Sequence, residues 1–224
     1  FQHLFVTPII LEAEAYEVAE PEGEEAQATD SHDGHTHSHE GWGPEDGAER
    51  TFYSMLSNVL ISFSFALLLI SAMALHNHKA SKPPVNAVRG LAWGFAAMLA
   101  MFVAPALLGL HPEVPGTVAA HLEHRQVWWI FCGIATAVGL AVLYYAPALY
   151  KLAGIALIAI PHLVGAPHPS ELSFANTDPD AVTALTALTE QFYTMTAVGM
   201  LLFFLLLGAA SGFSTRRFVR FETA

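Results

Sequence analysis

Four of the twelve histidines fall between positions 32 and 39, in the run His32-Asp33-Gly34-His35-Thr36-His37-Ser38-His39. Asp30 precedes the run and Glu40 follows it. In extended backbone alternate side chains project to one side, so His35, His37 and His39 can converge with little rearrangement. Neutral imidazole is the commonest transition-metal ligand, and Asp33 adds an oxygen donor. These residue types in this spacing therefore point to metal capture, and a merely solvated polar linker is the alternative. Flexible imidazoles concentrate a metal without selecting it, because nickel and copper outbind cobalt at such donors. Protonated imidazole cannot ligate, so capture weakens as pH falls through about 6.5.

Three other places carry polar groups of interest. His121 and His124 lie three residues apart, which puts them on one face of a helical turn. They could form a relay into a helix bundle or be ordinary interfacial polarity. His162 follows Pro161 inside an apolar stretch, eleven residues beyond Lys151, or about 16 Å along a helix. An ionisable group at that depth in a bilayer is costly and is by default a functional candidate. Pro161 also deprives the Leu157 carbonyl of its helical donor, as in transporters that bind ions on discontinuous helices. The alternative is a histidine that donates to a backbone carbonyl in a packed bundle. Glu12 and Glu14 mark the end of the first apolar stretch and could line the same entrance.

The elements that must position these groups are membrane helices. Mean hydropathy is +0.44 and only 13 % of the 224 residues are charged. The apolar residues come in blocks of bilayer-crossing length. The expectation is an all-α polytopic bundle of about six spans, forming one membrane domain over residues 1–224. Phe1–Leu11 reads as the second half of a first span. Further spans are expected at about Phe52–Leu75, Gly90–Leu110, from Gln126 to Tyr145, at Leu152–Ala166 and within Val182–Phe213. Ser54, Asn58 and Ser62 share a helix face and are expected to hydrogen-bond to a neighbouring helix; Gly133, Ala137 and Ala141 form a close-packing ridge. Trp128 and Trp129 are expected at the membrane interface. Residues 15–50 hold few large apolar side chains and most of the acids behind the net charge of −11, so they read as a flexible acidic loop.

Six crossings place Lys79, Lys82, Arg89, Lys151, Arg216, Arg217 and Arg220 on one side, and Arg50 and Arg125 on the other. The positive-inside rule then makes the basic side cytoplasmic and the histidine loop extracytoplasmic. Cys132 is the single cysteine, which excludes a disulfide framework and a cysteine-based metal cage. An acidic chain gives no reason to expect nucleic acid. No phosphate-binding glycine loop, zinc-protease motif or nucleophile elbow is present, so neither nucleotide nor enzymatic chemistry is expected. Haem is not expected either, since few histidines fall well inside a span.

Several stretches carry a resemblance: Phe5-Val-Thr-Pro-Ile-Ile-Leu-Glu-Ala-Glu14, Arg89-Gly-Leu-Ala-Trp-Gly94, Ala104-Pro-Ala-Leu-Leu-Gly109 with its following His-Pro-Glu, Gln126-Val-Trp-Trp129 and Pro161-His-Leu-Val-Gly-Ala-Pro167. With the histidine loop, these make the chain resemble the CbtA family of predicted cobalt transporter subunits nearly end to end. The resemblance implies a multi-pass protein of the bacterial inner membrane whose companion is CbtB, a small single-span protein. It supplies the word cobalt; the residues alone indicate a divalent transition metal, nickel included. The departure is the N-terminus, where the family's first span should start earlier. The expected function is a metal-uptake subunit, with capture at His32, Asp33, His35, His37 and His39 and a path past His162, His121, His124 and Glu12. A non-transporting accessory subunit of a larger membrane complex is the rival.

Overall fold

The computed structural model describes residues 1–17, 44–45, 47–79, 82–169 and 174–219. These fall into two compact units, one of Phe1–Val18 with Ala66–Ala224 and one of Ala19–Phe65. The named elements are all helical: α1 (Gln2–Phe5), α2 (Thr7–Glu14), α3 (Ala48–Lys79), α4 (Ala87–Met98), α5 (Leu122–Tyr145), α6 (Lys151–Val164) and α7 (Pro179–Phe218). Among the described residues four helices are long and apolar enough to cross a membrane: Ala48–His78, Ala87–Leu107, Leu122–Tyr145 and Pro179–Phe218. The apolar helix Ala148–Val164 is shorter, and the first apolar stretch is split into the short α1 and α2. The structure therefore bears out a polytopic helical bundle at four spanning helices.

In the smaller unit, Ser62 turns its hydroxyl onto the Asn58 carbonyl of its own helix, and Ser64 does the same to Leu60. The expected hydrogen bond from Ser62 across to a neighbour is replaced by the back-bond that helical serines commonly make.

The larger unit is built on glycine contacts. α4 and α7 run antiparallel, and Gly90 and Gly94 of one meet Gly208 and Gly212 of the other. A Cβ on Gly94 would stand 2.9 Å from the Phe204 carbonyl carbon, and one on Gly208 would stand 2.6 Å from the Gly94 Cα. Only hydrogen fits where backbones approach this closely, which is how membrane helices associate without a hydrophobic driving force. α5 and α6 pair in the same way through Gly139 and Gly154, where a Cβ on either would fall under 3 Å from the other's carbonyl oxygen. The expected ridge on α5 is thus real at Gly133, which faces the Ala100 carbonyl.

Past Met98 the helix of α4 widens into a π-helical stretch, Leu99–Leu107, with Pro105 inside it. Leu108 donates to Val103 and Leu110 to Pro105, each five residues back. The wider turn makes room for the proline ring, which an α-helix would drive into the carbonyl four residues earlier.

The helix ends sort into two sets. At one end Thr215 of α7 donates to the Met73 sulfur of α3, Asn86 caps α4 by accepting from Arg89, and His76 of α3 meets Tyr145 of α5. At the other end Ile9, Ala13, Val114, Leu185 and Leu188 form one buried cluster, Asn176 donates to the Tyr16 carbonyl and Thr117 pairs with Phe174.

Candidate functional site

α6 stops part-way along its partner. Its final turn contains Pro161 and His162, and the chain leaves through Gly165 at φ 87°, a left-handed conformation that glycine adopts freely. The His162 ring reaches α5, where its Nε2 lies 3.9 Å from the Cys132 sulfur. Cys132 is fully buried and stands ten residues, about 15 Å, from the start of a helix about 36 Å long. Leu163 and Val164, which follow His162, are exposed and apolar. The end of α6 therefore lies about 15 Å along α5 from its start, with apolar side chains around it.

A helix end in that position offers carbonyls. Pro161 leaves the Leu157 carbonyl without its helical donor. The Pro161 carbonyl itself is occupied, since it accepts from Gly165 N and, at 3.2 Å, from the Trp128 indole. The last carbonyls of α6 also carry the negative pole of the helix dipole, which favours a cation there.

Trp128 is the residue that fixes this geometry. It is 6 % exposed, its ring sits edge-on to that of His162, and it packs with Ala104 and Cys132. Its N–H, which at a membrane interface could meet a headgroup, finds a carbonyl inside the bundle. Gly109, just past the π-helical stretch, admits the indole, for a Cβ there would stand 2.6 Å from its Cζ3. One turn beyond Cys132, Thr136 is buried with its hydroxyl beside the thiol. Trp128, Cys132 and Thr136 recur every four residues, so an N–H, a thiol and a hydroxyl line one face of α5.

The other expected residues are placed apart. His121 and His124 are exposed at the start of α5, their rings 6.0 Å apart and edge to face. Beside them the Arg125 guanidinium pairs with Glu113. Glu12 is exposed on α2, whose packing partner is α7. His32, Asp33, His35, His37 and His39 lie outside the described residues. No group of three or more His, Cys, Asp or Glu side chains among the described residues is placed to hold a metal.

Two residues were missed by sequence reasoning. Cys132 was set aside because one cysteine builds no cage; its spacing from Trp128 and Thr136 was the available signal. His76 is 4 % exposed at the basic end, enclosed by Trp93, Tyr144 and Tyr145. Its Nε2 lies 3.3 Å from the Pro83 carbonyl and its Nδ1 2.7 Å from the Tyr145 hydroxyl. A carbonyl only accepts, so Nε2 carries the proton and the tyrosine donates to Nδ1. Both nitrogens are engaged, which makes His76 a structural tie between α3 and α5.

The profile of the family described as "Probable cobalt transporter subunit (CbtA)" matches residues 1–216. No curated protein and no solved structure matches the chain.

Proposed function

We propose, for a chain that belongs to the CbtA family of probable cobalt transporter subunits, that cobalt passes through the bundle by way of Cys132 and His162. The observation that carries this reading is the last turn of α6 beside Cys132, which brings a sulfur and an imidazole together inside the bundle. A thiolate and an imidazole both suit Co²⁺, and Ni²⁺ meets the same donors. Two side chains with carbonyl support make an incomplete shell. That suits transit, which needs a site that holds an ion and also lets it go. Metal binding would displace the thiol proton, so each ion entering releases one there. Membership of a transporter-subunit family also implies a role that is not enzymatic.

This reading takes six crossings: the four long apolar helices are four of them, and the shorter apolar helix α6 with the residues that follow it is a fifth. The sixth would involve α1 and α2, which pack along α7. Lys82, Arg89, Arg216 and Arg217 gather at one end, which the positive-inside rule assigns to the cytoplasm. The histidine loop at His32–His39 then lies outside, where it raises local metal concentration before an ion enters. A small single-span companion of the CbtB type completes the transporter.

The test is radioactive-cobalt flux into vesicles holding the purified protein, with and without the companion. Flux is expected in the wild type and lost in Cys132→Ala and in His162→Ala. Undiminished flux in both variants would remove the path. A chain that passes no cobalt under either condition, yet co-purifies stoichiometrically with a transporting complex, would be the accessory subunit instead.

A further inference from the structure

At the basic end of the larger unit, where α3, α4 and α7 meet, there is a cleft of about 430 Å³ lined by Asn77, Arg89, Asn86, Arg216, Thr215 and neighbouring Pro and Val side chains. Its polar groups are donors. The Asn77 Oδ1 accepts from Val85 N, and the Asn86 Oδ1 accepts from Arg89 N. Both amide oxygens are thus consumed by backbone, which leaves the NH₂ ends to offer hydrogens. The Thr215 hydroxyl is the exception, since its one hydrogen is spent within the bundle on the Ser211 carbonyl at 2.8 Å, with the Met73 sulfur a longer contact at 3.8 Å. Arg89 and Arg216 come from different helices, and no carboxylate is among the lining residues. Arg89 keeps one arm on the Pro84 carbonyl, which braces its guanidinium against the loop before α4.

We infer that this cleft is a binding site for the phosphate of an anionic phospholipid headgroup. Guanidinium forks and amide N–H groups match phosphate oxygens, and two positive charges with no acid among the lining residues favour an anion. The position selects a lipid over a free ion. The cleft lies at the ends of three apolar helices, at the depth of a headgroup. Val88 and Phe218, chain neighbours of the lining Arg89 and Val219, are 74 % and 73 % exposed. Apolar side chains with that exposure at a bundle's edge face acyl chains. Basic pockets between helices at a cytoplasmic face bind headgroups in this way. The site clamps three helices at the end opposite the loop that bears Val114 and Thr117, and it does not depend on which metal the protein carries.

The experiment is native mass spectrometry and thermal melting of the purified protein with phosphatidylglycerol, phosphatidylcholine or inorganic phosphate. Wild type is expected to retain phosphatidylglycerol selectively and to melt higher in its presence, with no response to millimolar inorganic phosphate. Arg89→Gln with Arg216→Gln should weaken phosphatidylglycerol binding about 10- to 30-fold, from the loss of two interfacial charges. Its melting in phosphatidylcholine should stay close to wild type, because both side chains are exposed and the one bond lost, from Arg89 to the Pro84 carbonyl, is at the surface. Lys151→Gln, basic and at the same end but outside the cleft, should bind as wild type does. An unchanged headgroup preference in the double variant would overturn the assignment. So would an equal response to inorganic phosphate, which would make the ligand a free anion.

Discussion

Gly109→Ala places a methyl group against Trp128 without changing any charged or metal-ligating group, and so tests whether the indole sets the geometry around Cys132 and His162. The new Cβ would stand 2.6 Å from Cζ3 and 2.8 Å from the Pro105 carbonyl oxygen. Against an ordinary contact of 3.4 Å, Cζ3 must retreat by at least about 0.8 Å. The Pro105 carbonyl is backbone and cannot turn aside, so the indole gives way. Its bond to the Pro161 carbonyl, already 3.2 Å, is then stretched beyond hydrogen-bonding range. Overpacking together with a lost bond inside a membrane bundle costs about 2–4 kcal/mol. His162, which rests edge-on against the same ring, loses its place, and cobalt flux should need about tenfold more metal. The assay pairs equilibrium unfolding in detergent with cobalt flux for Gly109→Ala, Trp128→Phe and the double variant. Phenylalanine lacks the atoms that collide, so the two changes should be coupled by more than about 1 kcal/mol, as contacting residues are. Strict additivity, or a Gly109→Ala protein with unaltered flux, would refute the reasoning.

Changing His32, His35, His37 and His39 together to Ala should raise the external cobalt needed for half-maximal uptake and leave the maximal rate intact. The wild-type advantage should fade as external pH drops below about 6.5, because protonated imidazole does not ligate; whole-cell uptake at two pH values measures both. Gly94→Val should separate α4 from α7 and lower stability by at least about 2 kcal/mol, read by denaturant unfolding, since the Phe204 carbonyl carbon lies 2.9 Å from the added Cβ. Tyr145→Phe removes the donor to His76 Nδ1 and leaves a buried acceptor unpaired, a loss of about 1–3 kcal/mol in the same assay.

Much of the bundle was legible because membrane helices announce themselves by length and apolarity. α3, α5 and α7 fall on the expected spans, and the shortness of the piece around Pro161 is visible in its composition. What pattern could not show is which face of a helix meets which. Trp128 has the residue type of an interfacial anchor, yet its inward turn depends on a glycine nineteen positions earlier and a carbonyl thirty-three positions later. The pairing of Gly90 and Gly94 with Gly208 and Gly212 was missed for the same reason: spacing marks a small-residue face but not its partner. At the candidate site His162 was singled out by its place after Pro161 in an apolar stretch, which is a property of one segment. Cys132 was not, because its significance lies in the end of another helix being brought beside it. Nor did the wide π-turn at Pro105 leave a signal beyond the proline itself.

The most direct test of the central claim is the absorption spectrum of the purified protein titrated with Co²⁺, with the loop histidines replaced by alanine to silence capture. A cobalt ion held by Cys132 and His162 should give a near-ultraviolet thiolate-to-cobalt charge-transfer band. Cys132→Ser should abolish that band, and His162→Ala should shift or weaken it. A spectrum without the band at saturating cobalt, or one identical in Cys132→Ser, would contradict the account.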